Sequence, residues 1–259
     1  MAQKDKVYKF LMKRIEEDNC LHFSLIDPDL VFQTLVTIKK YAKYATEAGT
    51  DAILVGGSTI ADQFAVDRVV NAIKDVSDKP VIIFPGNINA FSKSADAVFF
   101  MSLLNSRNTY WIIDSHCIGA PTLKLWGMEA IPMAYIIIAP GATAGYIGDV
   151  KLIPRNKAKI AQAYALAAQY MGFKFVYFEA GSGADKMVPT DFVKATSNFI
   201  DIPLFVGGGI NTEADAVKFA KAGASSVVQG TYIEKRLVRD KGEGLKRIIK
   251  AVKTAAINR

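Results

Sequence analysis

Eight short apolar runs recur along this chain, separated by longer segments, and no other feature restricts its fold as strongly. They are Leu21–Ile26, Ala52–Val55, Val81–Phe84, Ala97–Phe100, Met133–Ala139, Phe175–Phe178, Leu204–Val206 and Ser226–Val228. Most are continuously apolar, the pattern of parallel strands buried on both faces. Helical segments follow most of them: Leu30–Ala48, Ala61–Val76, Thr109–Leu125, Asn156–Met171, Thr190–Asn198, Glu213–Ala222 and Gly244–Ala256. Gly49, Gly172 and Gly223 stand where C-terminal caps belong, and Asn211 or Thr212 can cap the start of Glu213–Ala222. No linker or low-complexity stretch interrupts the 259 residues. Strict alternation over this length predicts one α/β domain, residues 1–259, folded as a TIM (β/α)8 barrel.

One unit is defective. Between the third and fourth strands lies only Pro85–Asp96 (PGNINAFSKSAD), too short for a full helix and its two loops. The third helix is therefore expected to be missing or replaced by an extended segment. That leaves an apolar slot between neighbouring helices, wide enough in principle for a long apolar ligand.

Charge argues against a nucleic-acid partner. The net charge of +7 lies entirely in Lys235–Arg259, with nine Lys/Arg against two Asp/Glu. There Leu245, Ile248, Ile249 and Val252 follow i, i+3, i+4, i+7, so the segment reads as an amphipathic helix with a solvated basic face. A weak attraction to anionic membrane surfaces or substrates is the second reading. Cys20 and Cys117 have no metal-ligand spacing and are expected to pack as small apolar residues in a reducing compartment. His22 and His116 lie within apolar or helical runs and are expected to be structural. Met1–Arg14 reads as a charged helix and not a signal peptide, and no apolar run reaches spanning length, so a cytoplasmic location is expected.

The strand ends carry the chemistry. Three glycine-rich turns close the chain: Glu179-Ala180-Gly181-Ser182-Gly183, Gly207-Gly208-Gly209 and Gly230-Thr231, each after a predicted strand. Glycines there let backbone N–H groups face an anion, and the last loops of such barrels bind phosphate. Asp27, in Asp27-Pro28-Asp29, ends the first strand, where a carboxylate can bind Mg²⁺ together with substrate phosphates. Asp29 reads better as the cap of the following helix. Ser58 ends the second strand and offers either a further oxygen ligand or a helix cap. Glu179 is placed to accept a proton or a hydroxyl hydrogen bond, and Tyr177 shares its side of the strand by period two. Whether that side is the barrel interior stays open. No Ser/His/Asp set, paired Cys nucleophile, Walker motif or dinucleotide fingerprint is present. A sugar-phosphate isomerase or aldolase would share the phosphate turns, but the Lys or second Asp it needs at a mid-barrel strand end is not evident. A non-catalytic carrier of phospholipid or isoprenoid is the remaining class.

His22–Asp29 (HFSLIDPD), Val55-Gly56-Gly57-Ser58, Phe84-Pro85-Gly86-Asn87, Ser102–Asn108 (SLLNSRN), Tyr177–Gly183 (YFEAGSG) and Val206–Ile210 (VGGGI) occur in order along nearly the whole chain. Together they resemble the geranylgeranylglyceryl phosphate synthase family, most closely its larger archaeal branch. The one mild departure is Asn87-Ile88-Asn89-Ala90, where a more Ser-rich turn is expected. The resemblance implies a barrel lacking its third helix and Mg²⁺-dependent prenyl transfer. In that reaction the 3-hydroxyl of sn-glycerol 1-phosphate takes the prenyl group of geranylgeranyl diphosphate, forming the first ether bond of archaeal lipids. It implies that Asp27 and Ser58 hold Mg²⁺. It places glycerol phosphate on Tyr177, Phe178, Glu179, Ala180, Gly181, Ser182, Gly183, Gly208, Gly209, Gly230 and Thr231, with Glu179 and Tyr177 catalytic. The tail would run along the slot past Phe91, Phe99, Phe100, Tyr110, Trp111 or Tyr135. A homo-oligomer is expected; its order and the prenyl length are not fixed.

Overall fold

The computed structural model describes residues 5–57 and 62–257. Its strands are β1 (Leu21–Ile26), β2 (Ala52–Val55), β3 (Val81–Ile83), β4 (Ala97–Leu103), β5 (Glu129–Ile137), β6 (Phe175–Glu179), β7 (Leu204–Gly207) and β8 (Ser226–Gln229). Every neighbouring pair is parallel, and β8 returns to pair with β1, so the sheet closes into the expected barrel. The helices are α1 (Lys6–Asp18), α2 (Leu35–Ala48), α3 (Gln63–Lys74), α4 (Ser115–Trp126), α5 (Ala142–Ile147), α6 (Ala158–Tyr170), α7 (Thr190–Ser197), α8 (Glu213–Lys221), α9 (Thr231–Arg236) and α10 (Glu243–Ile257).

Strand parity divides the core in two. Phe23, Leu54, Ile82, Phe99, Met133, Phe175, Tyr177, Phe205 and Val228 fill the barrel interior. Ile53, Val55, Ile83, Val98, Ile136, Val176, Phe178, Val206 and Val227 face the surrounding helices. Inside, Phe175 stacks on Phe205 with ring centroids 4.6 Å apart. Helix α1 plugs the bottom with Val7 and Leu11. The Glu129 carboxylate, at the start of β5, accepts from the backbone N–H of Val7 (2.8 Å) and Tyr8 (2.7 Å). That cap accounts for a charge at a strand start, and for β5 beginning four residues before the apolar run that signalled it.

The third helix is missing as expected. Between β3 and β4 the only helical element is a single 3-10 turn, Ile88–Ala90. It packs on α4 at Gly119, where a β-carbon would press into the Phe91 ring. Helix α2 begins five residues later than expected. Thr34, not Asp29, caps it, its Oγ1 accepting from Thr37 N–H at 3.2 Å, while Asp29 closes a local turn by accepting from Val31 N–H at 2.9 Å. The expected helix Thr109–Leu125 starts as a π-helical turn, Tyr110–Asp114, that runs into α4. Thr212 caps α8. The short helices α5 and α9 were not anticipated, being too brief to show a helical period.

The basic C-terminal segment is the expected amphipathic helix, with Leu245, Ile248, Ile249 and Val252 buried. Its apolar stripe is consumed by packing on α8 and α2, and Lys253 pairs internally with Asp18 (2.8 Å) and Asp51 (2.9 Å). Cys20 is buried, but Cys117 is exposed on α4, contrary to expectation. No helix among the described residues is long and apolar enough to cross a membrane.

Candidate active site

A cavity opens at the C-terminal ends of the strands. Asp27, Glu179, Ser182, Gly230 and Thr231 surround its mouth, and its floor is formed by Phe84, Phe99 and Tyr135. From there it runs sideways between Pro85–Ile88 and Phe91 on one side and Trp111, Ser115 and His116 on the other, past Phe100 and Met101. This lateral arm occupies the position of the missing helix, so the short Pro85–Asp96 connection does create the slot read from sequence. Tyr110 is not on its wall: its hydroxyl donates to Asn87 Oδ1 at 2.7 Å. His116 is part of the wall, its Nε2 2.6 Å from the Met101 carbonyl and its ring 4.6 Å from that of Phe100. His22 is structural as expected, held by Thr50 Oγ1 (3.1 Å) and Gln229 Oε1 (3.0 Å).

The side of β6 that faces inward is the one bearing Phe175, Tyr177 and Glu179. Glu179 is buried. Its carboxylate accepts from the Gly181 N–H at 2.6 Å and from the hydroxyls of Tyr135 and Tyr177. Burial raises its proton affinity above the ordinary carboxylate value, and these donors oppose the rise without cancelling it. Both tyrosines are pushed well above their usual range, by burial first and by the Glu179 charge second. Tyr135 therefore belongs to the Glu179 cluster and not to the distal slot; its ring centroid lies 5.2 Å from that of Tyr177.

The glycines of the seventh strand end serve this cluster. A β-carbon on Gly207 would fall on the Tyr177 hydroxyl, and one on Gly208 would fall on Glu179 Oε1. Gly208 and Gly209 also hold φ of 87° and 74°, a region that side chains disfavour. The expected anion contacts need narrowing. Phe178 points outward into the core between barrel and helices, so its side chain does not reach the cavity. The N–H of Ala180 is engaged by the Gly207 carbonyl (3.4 Å) and by Glu179, and that of Gly181 by Glu179. A buried carboxylate requires such donors. Among the described residues, no carbonyl accepts from the N–H of Ser182, Gly183, Gly208 or Gly209, and of these four Ser182 lines the cavity together with Thr231.

Asp27 sits where predicted, with Gly57 packed against its carboxylate and Oδ1 accepting from Asp29 N–H at 3.1 Å. Burial raises it above its ordinary value, with a smaller push from the Asp29 charge. Ser58, its expected companion, lies outside the described residues. Sequence reasoning missed Glu234, a third carboxylate on the cavity wall, because α9 was not anticipated. It also missed the job of Asn105 in SLLNSRN. Its amide donates to Ile137 O (2.8 Å) and Lys151 O (3.1 Å) and its Oδ1 accepts from Ile137 N–H, stitching β4 to β5.

Residues 12–255 match the model of the PcrB family. This chain belongs to the PcrB family. It is 49% identical over 254 residues to the geranylgeranylglyceryl phosphate synthase of Thermococcus sibiricus, covering 98% of each chain. It is 50% identical over 254 residues to the enzyme of that name from Thermococcus kodakarensis, covering 96% of this chain and all of the relative. Its fold superposes with a TM-score of 0.89 and 42% identity on (S)-3-O-geranylgeranylglyceryl phosphate synthase from Thermoplasma acidophilum, covering 94% of this chain and 98% of that one. That crystal structure is a complex with the substrate sn-glycerol 1-phosphate. The defective third unit and the three glycine turns all lie within the matched span.

Proposed function

We propose that this chain joins geranylgeranyl diphosphate to the 3-hydroxyl of sn-glycerol 1-phosphate, giving geranylgeranylglyceryl phosphate and diphosphate. The observation that carries the reading is the continuity of one cavity from Glu179 and the glycine turns into the helix-less slot. A polar phosphate ester and a long apolar tail then meet within one site. Near-full-length identity of 42–50% to synthases of that product supports the same substrates.

The N–H groups of Ser182, Gly183, Gly208 and Gly209 hold the glycerol phosphate, with Thr231 alongside. Tyr177 and Glu179 face its hydroxyls. The 3-hydroxyl oxygen attacks the allylic carbon, whose bond to the diphosphate oxygen breaks, and the hydroxyl proton passes to the Glu179 carboxylate. Burial that raises the proton affinity of Glu179 makes it a better base near neutral pH. Phe84, Phe99, Phe100 and Phe91 keep water from the allylic carbon and align the tail, and holding both reactants together supplies much of the acceleration.

The donor set fits Mg²⁺. Asp27, Glu179 and Glu234 line the cavity, and no Lys or Arg does among the described residues, so a diphosphate needs a cation to bind there. Mg²⁺ is ordinarily held by one or two carboxylates plus substrate phosphates, and Asp27 would be the protein ligand here. When bound, such an ion neutralises charge developing on the diphosphate leaving group. The barrel is further expected to work as a homo-oligomer in the cytoplasm, with sedimentation and fractionation as the respective tests.

The decisive assay incubates the full chain with sn-glycerol 1-phosphate, geranylgeranyl diphosphate and Mg²⁺ and identifies the product by mass spectrometry. Formation of the ether-linked phosphate is expected, at a rate about 10²–10⁴-fold lower in Glu179→Gln. Binding of both substrates without turnover would establish the carrier alternative instead.

A further inference from the structure

The loop from β6 to α7, residues 180–189, carries the Ser182-Gly183 turn and has no regular structure of its own. Its first part is fixed tightly. The Ala180 carbonyl accepts from the Gly141 N–H at 2.8 Å, and the Gly181 N–H is taken by Glu179. Residues 182–188 are held differently. Among the described residues, one group from outside the loop hydrogen-bonds this stretch: Arg155, whose Nη1 donates to the Met187 carbonyl at 2.6 Å. The same nitrogen donates to the Ala139 carbonyl at 3.1 Å. Arg155 reaches both because the chain after α5 returns alongside β5. Ile138 pairs with Ile153, and the Ala139 N–H donates to the Ile153 carbonyl at 3.0 Å. Both acceptors are carbonyls, and among the described residues no carboxylate pairs with this half-buried cation. Met187 in turn lies against the Gly209 turn. A β-carbon on Gly209 would stand 3.3 Å from Met187 Cγ and 2.6 Å from the Ala184 carbonyl.

We propose that Arg155 is a positioning residue for sn-glycerol 1-phosphate: it ties the Met187 carbonyl to the end of β5 and so holds the Ser182-Gly183 turn beside the Gly209 turn. The inference rests on reading these glycine turns as the phosphate site. Donors aimed at an anion are effective when they are already in place, because a loose loop must be ordered at the moment of binding. The segment 182–188 has one such tether, so its order depends on a single side chain. Arg155 serves twice over. Its two carbonyl acceptors leave the positive charge uncompensated, and a positive charge close to the loop favours a dianion there.

The test measures binding of sn-glycerol 1-phosphate to the full chain by calorimetry, with kinetics in which each substrate is varied separately. Arg155→Met should weaken sn-glycerol 1-phosphate binding about tenfold or more, the size of a lost hydrogen bond to a charged group, and raise its KM alike. The KM for geranylgeranyl diphosphate and kcat at saturation should stay close to the parent. Arg155→Lys, which keeps the charge and a donor, should recover much of the loss. Arg155→Gln is a second neutral variant, so that failure of one substitution to fold leaves the measurement standing. Trypsin cleavage after the exposed Lys186, identified by fragment mass, reads the loop directly. It should be faster in the neutral variants, and in the parent sn-glycerol 1-phosphate should slow it. Parental affinity in the neutral variants, at any rate of cleavage, would overturn the role of Arg155 and leave the substrate reading standing. Equal weakening of both substrates would also overturn it, assigning Arg155 to the barrel as a whole. A parent chain that binds no sn-glycerol 1-phosphate would remove the phosphate site itself, and this role with it.

Discussion

The Tyr177 hydroxyl occupies the space in which a β-carbon on Gly207 would stand. Two adjacent strands thus share one volume, and the glycine exists so that a phenol can reach Glu179. Gly207→Ala should force the hydroxyl aside and lower kcat by tenfold or more, since a shift of about 1 Å in an aligned group can cost about 10²-fold. Tyr177→Phe combined with Gly207→Ala should recover thermal stability but not activity. Parental turnover in Gly207→Ala would show that the phenol need not be where it is.

Glu179→Gln should lose about 10²–10⁴-fold in kcat while binding sn-glycerol 1-phosphate normally. The pH profile offers a second measure. Because burial lifts Glu179, the acid limb of kcat/KM should lie above the ordinary carboxylate value of about 4.3. Rate is present above that limb and lost as pH falls through it, because only the carboxylate accepts the proton. A loss of two- or three-fold would remove Glu179 from the reaction.

Asp27→Asn should abolish turnover with the fold retained. A near-parental rate at limiting Mg²⁺ would contradict its assignment as the metal ligand.

The slot should set product length. Phe100→Ala or Phe91→Ala widens the lateral arm and should extend acceptance toward prenyl diphosphates one isoprene unit longer. At about 0.8 kcal/mol per buried CH₂, the preference can change by two to three powers of ten at most. Product lengths would be read by mass spectrometry across a series of diphosphates. An unchanged profile in every such variant would move the tail to another path and leave the phosphate and metal assignments untouched.

His22 links stability to pH. Its imidazole is fully buried, and burial lowers its pKa to about 4 from an unfolded value of about 6.5. The folded state needs it neutral, so its contribution is present above about pH 6.5 and lost as pH falls toward 4. Urea unfolding at pH 7 and pH 4.5 should differ by roughly 2–3 kcal/mol more in the parent than in His22→Gln. Equal differences would place the acid sensitivity elsewhere.

Much of the barrel was legible because its signals are local. Continuous apolar runs, the helical period of α10 and the shortness of Pro85–Asp96 are properties of neighbouring residues, and each corresponds to an element or a gap in the structure. Strand-end motifs likewise placed Asp27, Glu179 and the glycine turns on the correct face. Helix α2 shows the limit: Asp29 and Thr34 are both good caps, and only the path of the chain after β1 chose Thr34. Which side of β6 faces inward depends on closure, since a strand of alternating parity fits either way until its neighbours fix it. Tyr135 and Tyr177 are register partners on β5 and β6, separated by a loop, α5 and α6, and their shared grip on Glu179 follows from that pairing. The sequence alone thus determined the repeat, the defect and the chemistry at the strand ends. Tertiary structure decided which side chains share a volume, because register and closure join residues that no local pattern relates.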